Sequence, residues 1–264
     1  MIATQLAATD ATVATRPRTS ALPRDVAMRL AAQEYDRFVA QLRDLSPEDW
    51  AKPTPCPAWD VHAMVCHVLG MAELAASVPE QLRQMRAARK AGGLFIDALT
   101  SLQVDKHVGR TPDELLVGLV EVAPRATAGR RRTPALVRRI ALADQPVDET
   151  GSQTEKWTLG YLVDVIFTRD LWMHRSDVAV ATGRAMTLTA EHDGVLVADV
   201  AAEWAVRHGQ PCAVTLTGPA GGSWTFNGNG GGDRVALELD AVEFCRILSG
   251  RGGGDGLLTT RVPF

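Results

Sequence analysis

The stretch Leu159 to Ala181, LGYLVDVIFTRDLWMHRSDVAVA, decides the fold. Leu162, Val165, Ile166, Phe167, Leu171, Met173 and Val178 make a helix of this length apolar on most sides, the pattern of a helix at the centre of a bundle. Gly183 follows as its stop signal. Within it, Asp170 and His174 stand four residues apart and project from one face about 6 Å from each other. A carboxylate and an imidazole so placed can grip one divalent cation together. On spacing alone a surface ion pair or a cap is the commoner arrangement. The apolar surroundings change the weighing, because ionisable groups inside such a helix must be paired, metal-bound or at a cavity to offset their desolvation.

Three more helices lie upstream. From Arg24 to Leu45 the apolar residues Val26, Leu30, Ala31, Phe38, Leu42 and Leu45 return at three- and four-residue steps. Pro47, Pro53, Pro55 and Pro57 then force a partly extended connection. Asp60 stands where an N-cap belongs and opens a second helix, whose pattern allows it to run as far as Lys90. Thr111-Pro112-Asp113-Glu114 opens a third, through Leu115, Leu119 and Val122. The arginine-rich run Gly129 to Arg139 reads as a solvated face. His67, on helix two, is the natural third ligand: if helices two and four are antiparallel neighbours, His67, Asp170 and His174 make a two-histidine, one-carboxylate set with open positions on the cation. A hydrogen-bonded core histidine is the competing reading of His67. His62 faces elsewhere on the same helix, and His107, His192 and His208 are read as surface residues.

After Gly183 the pattern changes to a helix at Ala190 to His208, strand-like segments Cys212 to Thr217, Ser223 to Phe226 and Val235 to Leu239, a short helix Ala241 to Leu248, and an extended end. The expected organisation is a disordered leader over 1–20, a four-helix unit over 21–184 and a small α+β unit over 185–264. Glycine-rich stretches such as Gly228 to Gly232 fall between strands and read as hairpin turns.

Composition narrows the function classes. The 264 residues, 46% hydrophobic and 22% charged, are those of a globular protein. A formal charge of −3 gives no drive toward a phosphate backbone, so nucleic acid is not expected as a partner. No apolar run is long enough to span a bilayer, and no secretory h-region opens the chain. Four widely spaced cysteines fit neither a disulfide framework nor a zinc ribbon, which points to reduced thiols and a cytoplasmic protein. There is no GxSxG, GxxxxGK[ST] or HExxH, and Cys66 points about 100° away from His67 around its helix, a poor nucleophile-base pair.

Thr54-Pro55-Cys56-Pro57-Ala58-Trp59-Asp60-Val61 leading to His67, Arg169 to Asp177, and the closing Phe244 to Arg251 with Leu257 to Phe264 together resemble the mycothiol-dependent maleylpyruvate isomerase family, whose N-terminal domain is of the DinB/YfiT-like four-helix metalloprotein type. The resemblance covers nearly the whole chain from about residue 24. It implies a DinB-like bundle followed by a small α+β domain, and a divalent metal, usually zinc, on His67, Asp170 and His174. The isomerase prototype carries glutamate where this chain has Asp170. Asp177 could orient His174 as an acceptor. The implied chemistry is activation of mycothiol, a low-molecular-weight thiol, for attack on a small electrophile, as S-transferase or cis-trans isomerase. Arg251, bordering a glycine-rich loop, and Arg246 are the leading candidates for a cationic clamp, with Arg261 behind them. The alternatives are a non-catalytic metal-binding or regulatory module and a hydrolase using bound water. Either a monomer or a homodimer is compatible with the sequence.

Overall fold

Helix α1 (Arg24–Arg43) buries the stripe that its spacing announces, with Leu30, Phe38 and Leu42 inside. A computed structural model describes residues 16–147, 154–228 and 234–264. Most of the expected leader, and the turn residues 229–233 with the glycines at 230–232, lie outside those residues. The last part of that leader is laid against the body of the protein: Arg18 donates its backbone amide to Lys156 and its guanidinium to Glu155.

Helix α2 (Val61–Ala76) starts where Asp60 accepts the Ala63 amide at 2.7 Å. It does not continue to Lys90. The chain turns extended at Ser77, whose hydroxyl accepts the Glu80 amide and caps α3 (Val78–Ala91), and Pro79 cannot donate across the break. Helix α4 (Phe95–His107) follows, which the apolar pattern does not announce: its buried residues are Leu99, Gln103 and His107, two of the three polar. Helix α5 (Pro112–Arg132) opens on a capping box between Thr111 and Glu114. A single turn, α6 (Ala135–Arg138), and a two-strand ladder of β1 (Gln145–Pro146) and β2 (Thr154–Glu155) lead to the central helix.

That helix begins as α7 (Leu159–Tyr161), widens into a π-helical turn over Leu162–Ile166, and continues as α8 (Phe167–Thr182) to Gly183 at φ 69°. Every residue from Leu171 to Val178 is buried. Helices α1, α2, α5 and α8 form the four-helix bundle, with one apolar core running from Tyr35 and Phe38 through Val65 and Leu119 to Leu171 and Val178. Two glycines of α5 and α2 permit close approaches, the first within the bundle and the second against α4. A Cβ on Gly129 would meet the Ala75 carbonyl oxygen at 2.1 Å, and one on Gly70 would meet the Gln103 side chain at 2.5 Å.

The rest of the chain is a π turn at Ala190–Gly194, α9 (Val195–His208), a sheet of β3 (Cys212–Thr217), β4 (Gly222–Phe226) and β5 (Val235–Asp240), and α10 (Ala241–Ser249). Strand β3 is central, antiparallel to β4 and parallel to β5. Its buried Cys212, Val214 and Leu216 join α9 and α10 in a second core, which also takes in Leu30, Trp172 and Met173 of the bundle. The fold is therefore α+β, a four-helix bundle followed by a small α+β unit. We propose the connection after Gly183 as the boundary, with packing that crosses it.

Buried charges tie the two parts together. Arg169 pairs with Asp199 at 2.7 Å and Glu203 at 2.9 Å, and Arg175 pairs with Glu34 and Asp193. His107 and His192, read from sequence as surface residues, are buried, His107 against Glu73 at 3.0 Å and His192 against Glu34 at 2.5 Å. Carboxylates from other helices offset their desolvation, a pairing invisible in local sequence. The arginine run divides likewise: Arg131, Arg132 and Arg139 are exposed, but Arg130 is buried. Among the described residues, no helix is long and apolar enough to cross a membrane.

Candidate metal centre

The proline-rich connection into α2 folds back on itself, Thr54 donating its amide and hydroxyl to the Trp59 carbonyl. This places Trp59 and Cys56 over one turn of α2 and one of α8. The Trp59 indole stacks on the His67 ring with centroids 4.9 Å apart, and the His67 and His174 rings meet edge to face at 5.2 Å. Asp170 lies between the imidazoles, its Oδ2 at 3.7 Å from His67 Nε2 and its Oδ1 at 3.3 Å from His174 Nε2. Donor atoms of the three residues lie within 4.8 Å of one another. The structure brings together the three side chains that the sequence singled out.

Their hydrogen bonds set the tautomers. Gln84 donates from Nε2 to the Gly70 carbonyl, so its Oε1 accepts, and Gln103 Nε2 donates to it at 2.9 Å. Gln103 Oε1 is then an acceptor, and His67 Nδ1 donates to it at 2.8 Å. His67 Nε2 is left with its lone pair facing Asp170. His174 Nδ1 sits 3.4 Å from Asp177 Oδ2 in the same relation. The arrangement fits a divalent cation. Bonds of about 2.0–2.1 Å in a tetrahedron put donor atoms about 3.3 Å apart, close to the 3.3 and 3.7 Å between Asp170 and the two Nε2 atoms, and metal-bound histidines characteristically have the other ring nitrogen tied to an acceptor.

Electrostatics agree. Burial alone would raise the Asp170 carboxyl, but the adjoining imidazoles, His174 foremost, hold it far below the ordinary carboxylate range. Burial would lower His174, yet Asp170 and then Asp177 raise it well above 6.5. The His67 and His174 side chains are 4% and 5% exposed and Asp170 28%, so the centre opens on the Asp170 side.

Asp177 is fully buried and accepts from Arg251 Nε at 2.8 and 2.9 Å, with Arg246 Nη1 at 3.5 Å. Burial works against its ionisation, but His174 and Arg251 outweigh it and lower its pKa. Both arginines therefore come from α10 and the loop after it to the rim of the centre, on a carboxylate that accepts from a proposed ligand. Arg261 instead donates to the Ile247 carbonyl and belongs to the α10 packing. Cys56 Sγ, which the sequence reading left without a role, lies 3.6 Å from Arg251 Nη2 and 3.8 Å from Asp177 Oδ2. Cys66 is buried beside His62, and burial pushes its thiol up to about 12, which leaves it a packing residue. A second acidic cluster, Glu34, His192 and Asp193, already holds the Arg175 guanidinium, which takes the place a cation would need.

Gln103 is the residue of this site that sequence reasoning missed. Gln103→Leu is expected to leave the His67 Nδ1 proton and the Gln84 carbonyl oxygen unsatisfied and to weaken metal binding by about 10- to 100-fold. Competition with a chromophoric chelator measures this, and an unchanged affinity would show that His67 needs no such anchor.

Comparison with known proteins bears on this geometry. The profile of the mycothiol maleylpyruvate isomerase N-terminal domain matches residues 31–179. Two uncharacterized proteins of Mycobacterium tuberculosis, from strains CDC 1551 / Oshkosh and ATCC 25618 / H37Rv, are each 27% identical, over 85% of this chain and 83% of theirs. The crystal structure of the mycothiol-dependent maleylpyruvate isomerase superposes with a TM-score of 0.55 at 17% identity, covering 88% of this chain and 90% of that one. A histidine-to-alanine mutant of it gives a TM-score of 0.54 with the same identity and coverage. These two structures bear out the fold.

Proposed function

The chain belongs to the mycothiol maleylpyruvate isomerase family, and from that premise we propose that it is a divalent-metal-dependent enzyme joining mycothiol to a small electrophile, as S-transferase or cis-trans isomerase. The observation that carries the reading is the convergence of His67 Nε2, His174 Nε2 and the Asp170 carboxylate, with both Nδ1 atoms turned outward onto acceptors. Those three residues would hold the cation. Bound there, a cation such as zinc would supply the positive charge that favours a thiolate over a thiol near neutral pH.

The chain's own residues do the rest. Trp59 covers one face of His67 and keeps water from that side. Asp177 holds His174 by its Nδ1, and Arg251 and Arg246 hold Asp177. Arg246 also stands 3.6 Å from Glu243, and the remaining donors of the two guanidinium groups at the rim are suited to an anionic substrate group. We assign Arg251 and Arg246 that clamp. If the thiol leaves again after bond rotation the reaction is an isomerisation; if it stays, a transfer. All four cysteines are free, which suits a reducing cytoplasm.

The test is turnover of maleylpyruvate by metal-loaded protein with and without mycothiol. The reading expects activity that needs both metal and thiol. Equal turnover without thiol would make it a hydrolase using bound water, and metal uptake with no turnover of any electrophile would make it a binding module.

Metal uptake should also release protons. His174 is held protonated by Asp170, so its stabilisation of the metal-free fold is complete below its ordinary value of 6.5 and is lost as pH rises through the raised one. The Asp170 contribution has the opposite sense: it is present above 3.8 and lost as pH falls through the depressed value. A cation must displace the His174 proton, so apparent affinity should climb between about pH 6 and pH 8 with about one proton released per ion. Calorimetry in buffers of different ionisation heat reads that proton directly, and an affinity flat over this interval would contradict the pairing.

A further inference from the structure

Helices α3 and α4 form a hairpin whose apex is built unlike the rest of the surface. Along α3, Gln84 and Ala88 are buried and Gln84 donates to the Gly70 carbonyl, which fixes the inner face. The outer face carries Leu82, Arg86, Arg89 and Lys90, all exposed and neighbours at three- and four-residue steps. The chain then doubles back through Gly92 and Gly93, at φ 78° and 75°, into Leu94, Phe95 and Ile96. Those three apolar side chains are 55%, 41% and 46% exposed, and every residue from Arg89 to Asp97 is exposed. Arg83 pairs with Glu80, but Arg86, Arg89 and Lys90 form no ion pair among the described residues. Cations in the last turn of a helix suit its dipole. That accounts for Arg89 and Lys90, but neither for Arg86 nor for the apolar trio. Single exposed apolar residues are ordinary. Three in succession, joined to three unpaired cations in a chain of net charge −3, form a surface that wants a partner.

We propose that the α3–α4 apex docks on an anionic lipid bilayer, with Leu94, Phe95 and Ile96 entering the headgroup layer and Arg86, Arg89 and Lys90 on the lipid phosphates. Charge complementarity chooses the sign of the partner: from Gln81 to Val104 the chain holds four basic residues and one acid, Asp97. Shape chooses its kind. An apex exposed over so many consecutive residues encloses nothing, so it suits a broad surface and not a small ligand or a single peptide strand. A bilayer boundary offers phosphate and acyl chain within a few ångströms of each other, the two chemistries that this edge presents side by side. The contact is peripheral, and among the described residues no helix is suited to crossing the bilayer. It stands apart from the metal and thiol reading, because Gln84 and Gln103 serve the centre from the inner faces of the same two helices.

The test is flotation of the full chain with vesicles of phosphatidylcholine alone and of phosphatidylcholine mixed with an equal part of phosphatidylglycerol. Wild-type protein is expected to float with the anionic vesicles only, and less so at high salt, where the cations are screened. A Lys or Arg beside an anionic membrane is worth about fivefold in affinity. The triple variant Arg86→Gln, Arg89→Gln, Lys90→Gln should therefore bind the anionic vesicles about 100-fold more weakly. The double variant Leu94→Ser, Phe95→Ser should lose about tenfold or more. Both variants change exposed side chains, so their melting temperatures and metal content should match wild type. Wild-type protein that floats equally with neutral vesicles, or with neither kind, would overturn the proposal, as would variants that bind like wild type. A wild-type dimer that Leu94→Ser, Phe95→Ser abolishes would overturn it too, by giving the apex to a second copy of the chain.

Discussion

His174→Ala is expected to abolish stoichiometric metal binding and, with it, all thiol-dependent turnover. Among the three proposed ligands it is the most heavily supported: Asp170 faces its Nε2 at 3.3 Å, Asp177 its Nδ1 at 3.4 Å, and its side chain is 5% exposed. Losing an outer hydrogen-bond partner weakens a site by about 10- to 100-fold, and losing a ligand outright should exceed that range, leaving purified protein with about a tenth of an equivalent of metal or less. His67→Ala should behave in the same way. The two differ in what they leave behind. Without His174, Asp170 and the buried Asp177 lose a common cationic partner, so metal-free His174→Ala protein should melt lower than metal-free His67→Ala protein, whose Gln103 and Gln84 can still bond each other. Elemental analysis and thermal unfolding of both variants give the answer. A His174→Ala protein that keeps a full equivalent of zinc at wild-type affinity would remove the centre from the bundle.

The parts of this site that could be read from the sequence are those that apolar periodicity reports. Leu162, Val165, Leu171 and Val178 announce a central helix, Asp60 announces the start of α2, and together they put His67, Asp170 and His174 on facing helices. The three strands and the last two helices follow from alternation and turn residues, with boundaries shifted by a residue or so. What stayed hidden is polar and buried. Helix α4 packs Gln103 and His107 inward where a periodic reading looks for leucine, so neither the helix nor the anchor of His67 could be seen. The same holds for Arg130, one basic residue in a run, whose burial is decided by the π turn opposite and not by its own neighbours. His192 looked like a surface residue because its partner, Glu34, stands on the first helix of the chain. Each failure has one cause: a polar group is buried when a distant partner meets it, and sequence periodicity carries no record of the meeting.

That principle bears hardest on Arg251, a residue chosen from sequence as a clamp for substrate and found on Asp177. Arg251→Met would leave a fully buried carboxylate with Arg246 at 3.5 Å, the His174 imidazole and the weak Cys56 thiol donor at 3.8 Å. Breaking a buried pair from one side costs about 3–5 kcal/mol, which for a chain of this size lowers the melting temperature by roughly 6–20 °C. Metal affinity should fall too, because an Asp177 freed from Arg251 no longer fixes the His174 ring. The double variant Arg251→Met, Asp177→Leu separates the two effects. Replacing both members of a buried pair by apolar groups is often neutral, so its melting temperature should return toward the wild-type value. Its metal affinity should not return, since His174 Nδ1 would then have lost its acceptor. A single variant that melts and binds metal like wild type would show the pair to be idle. Recovery of both properties in the double variant would confine Asp177 to holding the C-terminal unit against the bundle, with no hand in setting the imidazole.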